Sequence, residues 1–389
     1  MIDTGRFGSL LKHHGFTVYS GVPCSHLKDL INFAVNECEL IMAANEGDAV
    51  AICAGAQLGG RKSVFLCQNS GLTNATSPLT SLIYTFRIPI LGIVSLRGEP
   101  GGKQDEPQHE LMGQITTDFL DLMRIKWSFL AAEQTEAEEQ LTEANRIIEA
   151  GEPYFFVVRA GTFSPQPLKT EDAASGPRTA QKGEFKYQSR AASLPTRFSA
   201  LSAIASLASD RTVFLATTGF TGRELYEVGD LPNNFYMVGS MGCVSSLGLG
   251  LALARPDLRV VVIDGDGSIL MRMGAAAVLA AYAPGTLVHV LLDNNAHDST
   301  GGQKTISDNV DFIRFAESVG YGNGFYAHDA DELTTLIQRG FDSGMLTFVY
   351  LQISGGTREN LGRPRTKPPE IRQRFSRFVA ASAQPAANP

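Results

Sequence analysis

Val260-Val261-Val262-Ile263-Asp264-Gly265-Asp266-Gly267-Ser268 decides how this chain is read. Four consecutive β-branched residues read as a strand buried on both faces, as in a parallel sheet covered by helices. The Gly-Asp-Gly that follows turns the chain into a helix over Ser268–Tyr282. The next strand, Leu287–Asp293, closes on Leu292-Asp293-Asn294-Asn295, and Asn294 stands 28 residues after Asp266. One strand-helix-strand unit spans that distance, so both oxygens arrive at the same edge of the sheet. There a carboxylate, an amide carbonyl and a backbone carbonyl can hold a hard cation together with a diphosphate, and Mg²⁺ suits such oxygens better than zinc. Gly265 and Gly267 let the backbone approach phosphate oxygens, and the helix that opens at Ser268 adds its dipole. Taken alone, Gly-Asp-Gly is a common strand-to-helix turn; the asparagine at the next strand end weighs against that reading. An EF-hand loop beginning at Asp264 fails, because Ile269 stands at its sixth position and Ala275 at its twelfth.

Outward from this unit, strands near Thr212–Ala216, Phe235–Val238, Gly324–Ala327 and Thr347–Ile353 alternate with helices at Arg197–Ala208, Cys243–Ala254, Asp311–Val319 and Asp331–Gly340. The first part of the chain alternates in the same way, with strands Thr17–Gly21, Leu40–Ala44, Ser63–Cys67, Ile88–Val94 and Tyr154–Arg159 around helices such as Glu46–Leu58 and Thr135–Ala150. Such alternation makes the fold class α/β, with two doubly wound parallel-sheet domains. Gly161 to Thr196 is rich in Pro, Ser, Gly, Lys and Glu and exceeds the ~12–15 residues of an ordinary loop. The expected division is therefore a domain over 1–160, a linker over 161–196, a second domain over 197–375, and a disordered Ala/Pro-rich tail over 376–389.

Composition agrees with this class. The 389 residues allow two or three domains at roughly 100–200 residues each. Hydrophobic residues at 43%, charged residues at 19% and a net charge of −7 exclude a disordered chain and the basic excess of a nucleic-acid binder. No stretch approaches the ~18 apolar residues of a membrane span, and the start carries His13-His14 in place of an apolar leader, so a cytoplasmic protein is expected. Cys24, Cys38, Cys53, Cys67 and Cys243 lack C-x-x-C spacing and read as reduced core thiols rather than disulfides or zinc ligands.

Strand ends are where ligands bind in open α/β sheets, and several polar segments fall there. Asn45-Glu46-Gly47-Asp48-Ala49 opens an Ala-rich helix; alone, Glu46 is an acidic first-turn residue favoured by the helix dipole. Gln68-Asn69-Ser70-Gly71-Leu72-Thr73-Asn74 and Asp105-Glu106-Pro107-Gln108-His109-Glu110-Leu111-Met112-Gly113 belong at the same edge as Glu46. Asp298-Ser299-Thr300-Gly301-Gly302-Gln303-Lys304-Thr305 offers hydroxyls, glycine amides and an ammonium, a chemistry suited to a tetrahedral oxyanion. Arg97, Lys103 and His109 are further groups that can share such a task.

The Gly-Asp-Gly unit ending in Asn-Asn resembles the thiamine-diphosphate motif of the pyruvate decarboxylase superfamily. That resemblance implies thiamine diphosphate and Mg²⁺ as cofactors, with Asp266, Asn294 and the carbonyl of Ala296 on the metal and Gly265, Gly267 and Ser268 beside the diphosphate. Gly239-Ser240-Met241-Gly242 is similar to the segment whose first glycine accepts a hydrogen bond from the cofactor and whose hydrophobic residue bends it. Glu46 would be the buried carboxyl, its pKa raised, that shares a proton with the aminopyrimidine ring, and His109 stands where superfamily members place an active-site histidine. The larger set, which includes Thr218-Gly219-x-x-x-Arg223-Glu224-Leu225-Tyr226, looks like the phosphonopyruvate decarboxylases and their sulfopyruvate relatives over nearly all of Met1 to Ser354. It implies pyrimidine-binding and diphosphate-binding domains, Thr217, Thr218 and Gly219 at the diphosphate, Asn69, Ser70, His109, Ser299, Thr300, Gln303 and Lys304 around the substrate, and Arg223-Glu224 as a structural or phosphate-proximal pair. Two departures stand out: the linker replaces an additional central domain common in the superfamily, and Asn295-Ala296-His297 stands where relatives often carry a glycine.

The expected activity is decarboxylation of a small 2-oxo acid, 3-phosphonopyruvate above all, by a homodimer or higher homo-oligomer with sites at the subunit interface and no nucleic-acid or membrane partner. Sulfopyruvate decarboxylation, carboligation and noncatalytic diphosphate binding are the alternatives. A nucleotide-binding protein is disfavoured, since there is no G-x-x-x-x-G-K-[ST] and Gly248-Leu249-Gly250 lacks a third glycine.

Overall fold

Each half of the chain builds a sheet from strands that are apolar on both faces. In a computed structural model, residues 1–169, 183–187 and 193–382 are described. The chain divides into Met1–Gly176 and Pro177–Pro389, taken separately here. The first unit holds β1 (Phe16–Gly21), β2 (Glu39–Met42), β3 (Lys62–Gln68), β4 (Leu91–Ser95), β5 (Lys126–Phe129) and β6 (Tyr154–Val158), all parallel, in the order β2-β1-β3-β4-β6-β5. The second holds β7 (Phe185–Lys186), β8 (Thr212–Ala216), β9 (Asn234–Tyr236), β10 (Arg259–Gly265), β11 (Leu287–Asp293), the hairpin strands β12 (Ala296–His297) and β13 (Gln303–Lys304), then β14 (Asn323–Ala327) and β15 (Thr347–Gln352). Its sheet runs β7-β14-β15-β11-β10-β8-β9, also all parallel, with β12 and β13 pairing antiparallel outside it.

Val260, Val261, Val262 and Ile263 have no exposed surface, as strands covered by helices on both faces require. The helix Val244–Ala254 lies close against β10 because Gly248 has no side chain; a Cβ there would collide with Val262. That glycine serves packing and not a nucleotide. In the first unit the helix Glu46–Leu58 is capped by Asn45, whose side chain accepts from the Asp48 amide at 3.1 Å, and Gly47 through Ala56 are all buried. The strand order reverses between β8 and β10, with β9 on one side and β10 and β11 on the other. The carboxyl ends of β8 and β10 therefore diverge into a crevice.

The structure moves several expected boundaries. β5 is a short, partly exposed edge strand carrying Lys126 and Ser128, and it lacks the continuous apolar run that marks its neighbours. Within the expected linker, Phe163 bridges to Ile2, β7 extends the second sheet beside β14, and the Ser354 amide donates to the Pro195 carbonyl at 2.9 Å. The remainder, 170–182 and 188–192, lies outside the described residues. The helix expected over Ser268–Tyr282 is two helices, Asp266–Met271 and Gly274–Tyr282, broken where Arg272 leaves helical backbone. The tail expected from 376 is helical to Ala381, because Ile371, Phe375 and Val379 recur at four-residue spacing and are buried; 383–389 lie outside the described residues. The five cysteines are unbridged, and burial pushes the Cys53 thiol up to about 12. Among the described residues no helix is long and apolar enough to cross a membrane.

Candidate active site

The crevice between β8 and β10 is an open cleft. Its walls bring together Thr217, Thr218 and Gly219 after β8, Gly265 through Ser268 after β10, Asn294, Ala296 and Ser299 after β11, and Met241. Backbone geometry makes this convergence possible. Gly219 adopts φ +91° at the start of the helix Phe220–Val228, which has no side-chain cap, so its first amides are left for a ligand. Asn295 turns through φ +56° and swings Ala296 toward the cleft; its side-chain amide donates to Ser307 and Asp308 at 2.7 Å each. Ser240, at φ +53°, and Gly242, at φ +91°, fold the turn that carries Met241 into the wall. The Ser268 hydroxyl then ties three strand ends together, accepting from the Gly242 amide and the Thr217 hydroxyl at 3.0 Å each. A Cβ on Gly267 would collide with His297 Cε1, so the glycine leaves that ring room beside Asp266.

Asp266 is 3% exposed, and burial raises its pKa against the lowering effect of the Thr305 hydroxyl, which donates to Oδ2 at 2.5 Å. Burial, with the nearby Asp266 charge, also pushes Asp293 up to about 6, although it accepts from the Asn295 amide at 2.8 Å and from Tyr350 at 3.0 Å. A positive charge in the cleft would relieve both carboxylates. The Asn294 side chain donates through Nδ2 to Asp298 Oδ2 at 2.7 Å, and the buried Arg197 donates to the same oxygen at 2.8 Å. Among the described residues no cluster of three or more His, Cys, Asp or Glu could hold a metal ion. A cation here would rest on one carboxylate, amide and carbonyl oxygens, and phosphate. That donor set fits Mg²⁺ with a diphosphate, and the hydroxyls of Thr217, Thr218, Ser268 and Ser299 suit the phosphate oxygens.

The first unit gathers its polar groups differently. Glu46 is half-buried at the first turn of its helix, less enclosed in this chain than the sequence leads one to expect, and its Oε2 accepts from Asn74 Nδ2 at 2.8 Å. A Cβ on Gly71 would strike its carboxylate, so the glycine leaves it room. His109 is buried at the N-terminus of the helix Glu110–Leu122, with Nδ1 at 3.4 Å from Gln68 Nε2, which also donates to Ser70 at 2.6 Å. Asn69 stands apart from its expected substrate role. It is fully buried, its amide donates to the Arg97 carbonyl at 2.9 Å and to Thr116 at 3.0 Å, and its oxygen accepts from the Ser70 amide at 3.1 Å. Those bonds hold loops together. Arg97 is likewise committed, pairing with Asp105 through both Nε and Nη2.

Thr300, Gln303 and Lys304 are exposed on the β12–β13 hairpin rather than in the cleft wall, and neither Gly239 nor Ser240 lines it. Arg223 donates to the Leu361 and Gly362 carbonyls at 2.5 and 2.8 Å, while Glu224 is buried beside Arg197. The sequence did not single out Arg197, Asp298 as a hydrogen-bond acceptor, Thr305 as a partner of Asp266, or His297 as the neighbour of Gly267. Asp298 and Thr305 carried a signal as the first and last residues of the polar loop, and His297 as part of Asn295-Ala296-His297.

Residues 221–351 match the family described as the C-terminal TPP-binding domain of thiamine pyrophosphate enzymes. The chain is 41% identical over 379 residues to a phosphonopyruvate decarboxylase of Streptomyces viridochromogenes, covering 96% of this chain and 94% of that protein. It is 30% identical over 376 residues to a sulfopyruvate decarboxylase of Methanosarcina acetivorans, covering 94% and 95% respectively. In three dimensions it is similar to the thiamine diphosphate-dependent 4-hydroxybenzoylformate decarboxylase of Rhodococcus jostii RHA1, with a TM-score of 0.70 and 13% identity over 91% of this chain and 99% of that one. At that identity the likeness speaks for the fold alone, the thiamine-diphosphate-binding fold.

Proposed function

Because the chain belongs to the phosphonopyruvate decarboxylase family, lyases that depend on thiamine diphosphate with Mg²⁺, we propose that it converts 3-phosphonopyruvate to phosphonoacetaldehyde and CO₂. The cleft at the β8–β10 reversal carries this reading, since it sets a buried carboxylate, an asparagine amide and hydroxyl groups around a space fit for a metal diphosphate. When bound, the cofactor supplies the electron sink for the departing carboxylate. Asp266, Asn294 Oδ1 and the Ala296 carbonyl hold the Mg²⁺. Thr218, Gly219, Gly265, Gly267 and Ser268 bind the diphosphate, while Met241, carried on the turn of Gly239 and Ser240, stands against the rest of the cofactor. Glu46 holds and returns a proton at the aminopyrimidine ring, and His109, steadied by Gln68, faces the substrate's reacting end.

Ser70, Ser299, Thr300, Gln303 and Lys304 bind the substrate, with Lys304 as the cation for the phosphonate. Binding energy from that remote anion can then lower the barrier at the reacting carbon. A homodimer or higher homo-oligomer, in which one subunit's Glu46 serves another's Asp266, completes the reading; the two residues lie in separate compact units. Incubation with phosphonopyruvate, sulfopyruvate and pyruvate, measuring CO₂ and aldehyde, tests the substrate. The highest kcat/KM should belong to phosphonopyruvate. A higher value for sulfopyruvate would replace it with the sulfonate.

A further inference from the structure

Asp298 Oδ2 accepts three N–H donors: Asn294 Nδ2 at 2.7 Å, Arg197 Nη2 at 2.8 Å and the Gly356 amide at 3.0 Å. An ionised carboxylate only accepts, so it fixes which end of the Asn294 amide faces it. Were the side chain turned over, its carbonyl oxygen would meet the carboxylate and both would be repelled. Asp298 therefore directs Nδ2 toward itself and leaves Oδ1 for the cleft that Asn294 lines beside Asp266 and Ala296.

Asp298 is in turn held. Arg197, 6% exposed at the first turn of the helix Arg197–Ala205, donates through Nη1 to the Gly356 carbonyl at 3.1 Å and lies 3.6 Å from Glu224 Oε1. Glu224 is 1% exposed; Oε1 accepts from the Thr357 hydroxyl at 2.5 Å, and Oε2 finds no partner among the described residues. Within this wall Asp298 and Glu224 share the Arg197 guanidinium, and Arg358 lines the pocket beside them.

We propose that Arg197 and Asp298 are positioning residues for the divalent cation: Asp298 presents the Asn294 carbonyl to it, and Arg197 holds Asp298 in place. Neither touches the reacting atoms. The proposal rests on the assignment of Asn294 to the cation in the reading above. A purely structural role, anchoring the Ser354–Arg358 segment to the helix Arg197–Ala205, would leave cation affinity unchanged once the protein is folded.

The test is calorimetric titration of Mg²⁺ into the full-length protein at fixed thiamine diphosphate, for wild type, Asp298→Ala, Arg197→Lys, Asn294→Ala and the double variant Asp298→Ala/Asn294→Ala, with melting curves for each. Asp298→Ala should weaken Mg²⁺ binding by about 10–100-fold, the usual cost of removing a hydrogen-bond partner of a metal ligand. Arg197→Lys should weaken it less than Asp298→Ala does. In the Asn294→Ala background the second substitution should change affinity less than about twofold, since its effect passes through that amide. If Asp298→Ala does not fold, Asp298→Asn decides: it retains one acceptor oxygen and should bind Mg²⁺ severalfold more weakly. Loss in Asn294→Ala with wild-type affinity in the folded Asp298 variant overturns the proposal and leaves the assignment of Asn294 standing. Wild-type affinity in Asn294→Ala overturns both.

Discussion

The carboxyl edges of the two parallel sheets are built from different materials. The second sheet's edge is made of backbone: Gly219, Ser240, Gly242 and Asn295 in left-handed conformations, Gly267 where no side chain fits, and an aspartate buried at a helix start. The first sheet's edge presents mainly side chains: a half-buried Glu46 held by Asn74, His109 beside Gln68, and Arg97 locked to Asp105, with glycine backbone close by at Gly71, against Glu46, and at Gly98, φ +71°, against His109. An edge that must wrap a diphosphate and a metal needs close approach and fixed oxygens. One that moves protons needs a carboxyl with room to exchange them. In the proposed reading, anchoring and proton transfer fall to different halves of the molecule.

The sharpest contrast comes from one substitution at each edge. Glu46→Gln keeps the shape but cannot exchange a proton, so turnover should fall by about 10²–10⁴-fold while cofactor affinity stays within about tenfold, near 1.4 kcal/mol. Steady-state kinetics at saturating cofactor, with calorimetry, reads both numbers. Loss of affinity as large as the loss of turnover would make Glu46 an anchor and erase the distinction. Asp266→Ala should do the reverse, weakening Mg²⁺-dependent cofactor binding by about 3–5 kcal/mol, the scale for removing one partner of a buried charge pair; wild-type affinity would remove Asp266 from the metal.

A smaller effect is expected at the β12–β13 hairpin. Lys304 is exposed, so the expected loss sits near the lower end of the range for truncating a charge partner, about 2 kcal/mol or thirtyfold. It should appear as a fall in the ratio of kcat/KM for phosphonopyruvate to that for pyruvate in Lys304→Ala. An unchanged ratio would move the anion reader to the first sheet's edge, where Lys103 is exposed. Smallest in catalytic consequence is Asn69→Ala. It leaves the Arg97 carbonyl and Thr116 without their donor and should cost about 1–3 kcal/mol of stability with little change in that ratio. A normal melting temperature with a raised KM would return Asn69 to the substrate.

The backbone-built edge was the legible one. Gly265-Asp266-Gly267 and Asn294-Asn295 are residue types selected by conformation and close approach, so sequence spacing alone brought them together. Strands such as Thr212–Ala216 and Leu287–Asp293 were equally plain, because full burial writes a continuous apolar run. β5 and β7 were not, since short edge strands bury little and carry Lys and Ser among their apolar residues. The break at Arg272 left no mark in the pattern from Ser268 to Tyr282, whereas the tail through Ala381 did carry a four-residue recurrence of Ile371, Phe375 and Val379, masked by the Ala/Pro-rich end beside it. Asn69, expected at the substrate, also makes bonds to loop backbone, because a polar residue at a strand end serves either end equally well. Arg197 was invisible for a related reason: its partners Asp298, Glu224 and Gly356 lie 27 to 159 residues away in sequence.

The division of labour is tested most directly by mixing Glu46→Gln and Asp266→Ala proteins, each inactive alone, under conditions of demonstrated subunit exchange. If one subunit's Glu46 serves another's Asp266, each heterodimer contains one intact site, and statistical mixing of a symmetric dimer should restore about a quarter of the wild-type sites. Phosphonopyruvate decarboxylation at about that level is the predicted result. No activity in a mixture shown to contain heterodimers would contradict it and place both residues' work within a single chain.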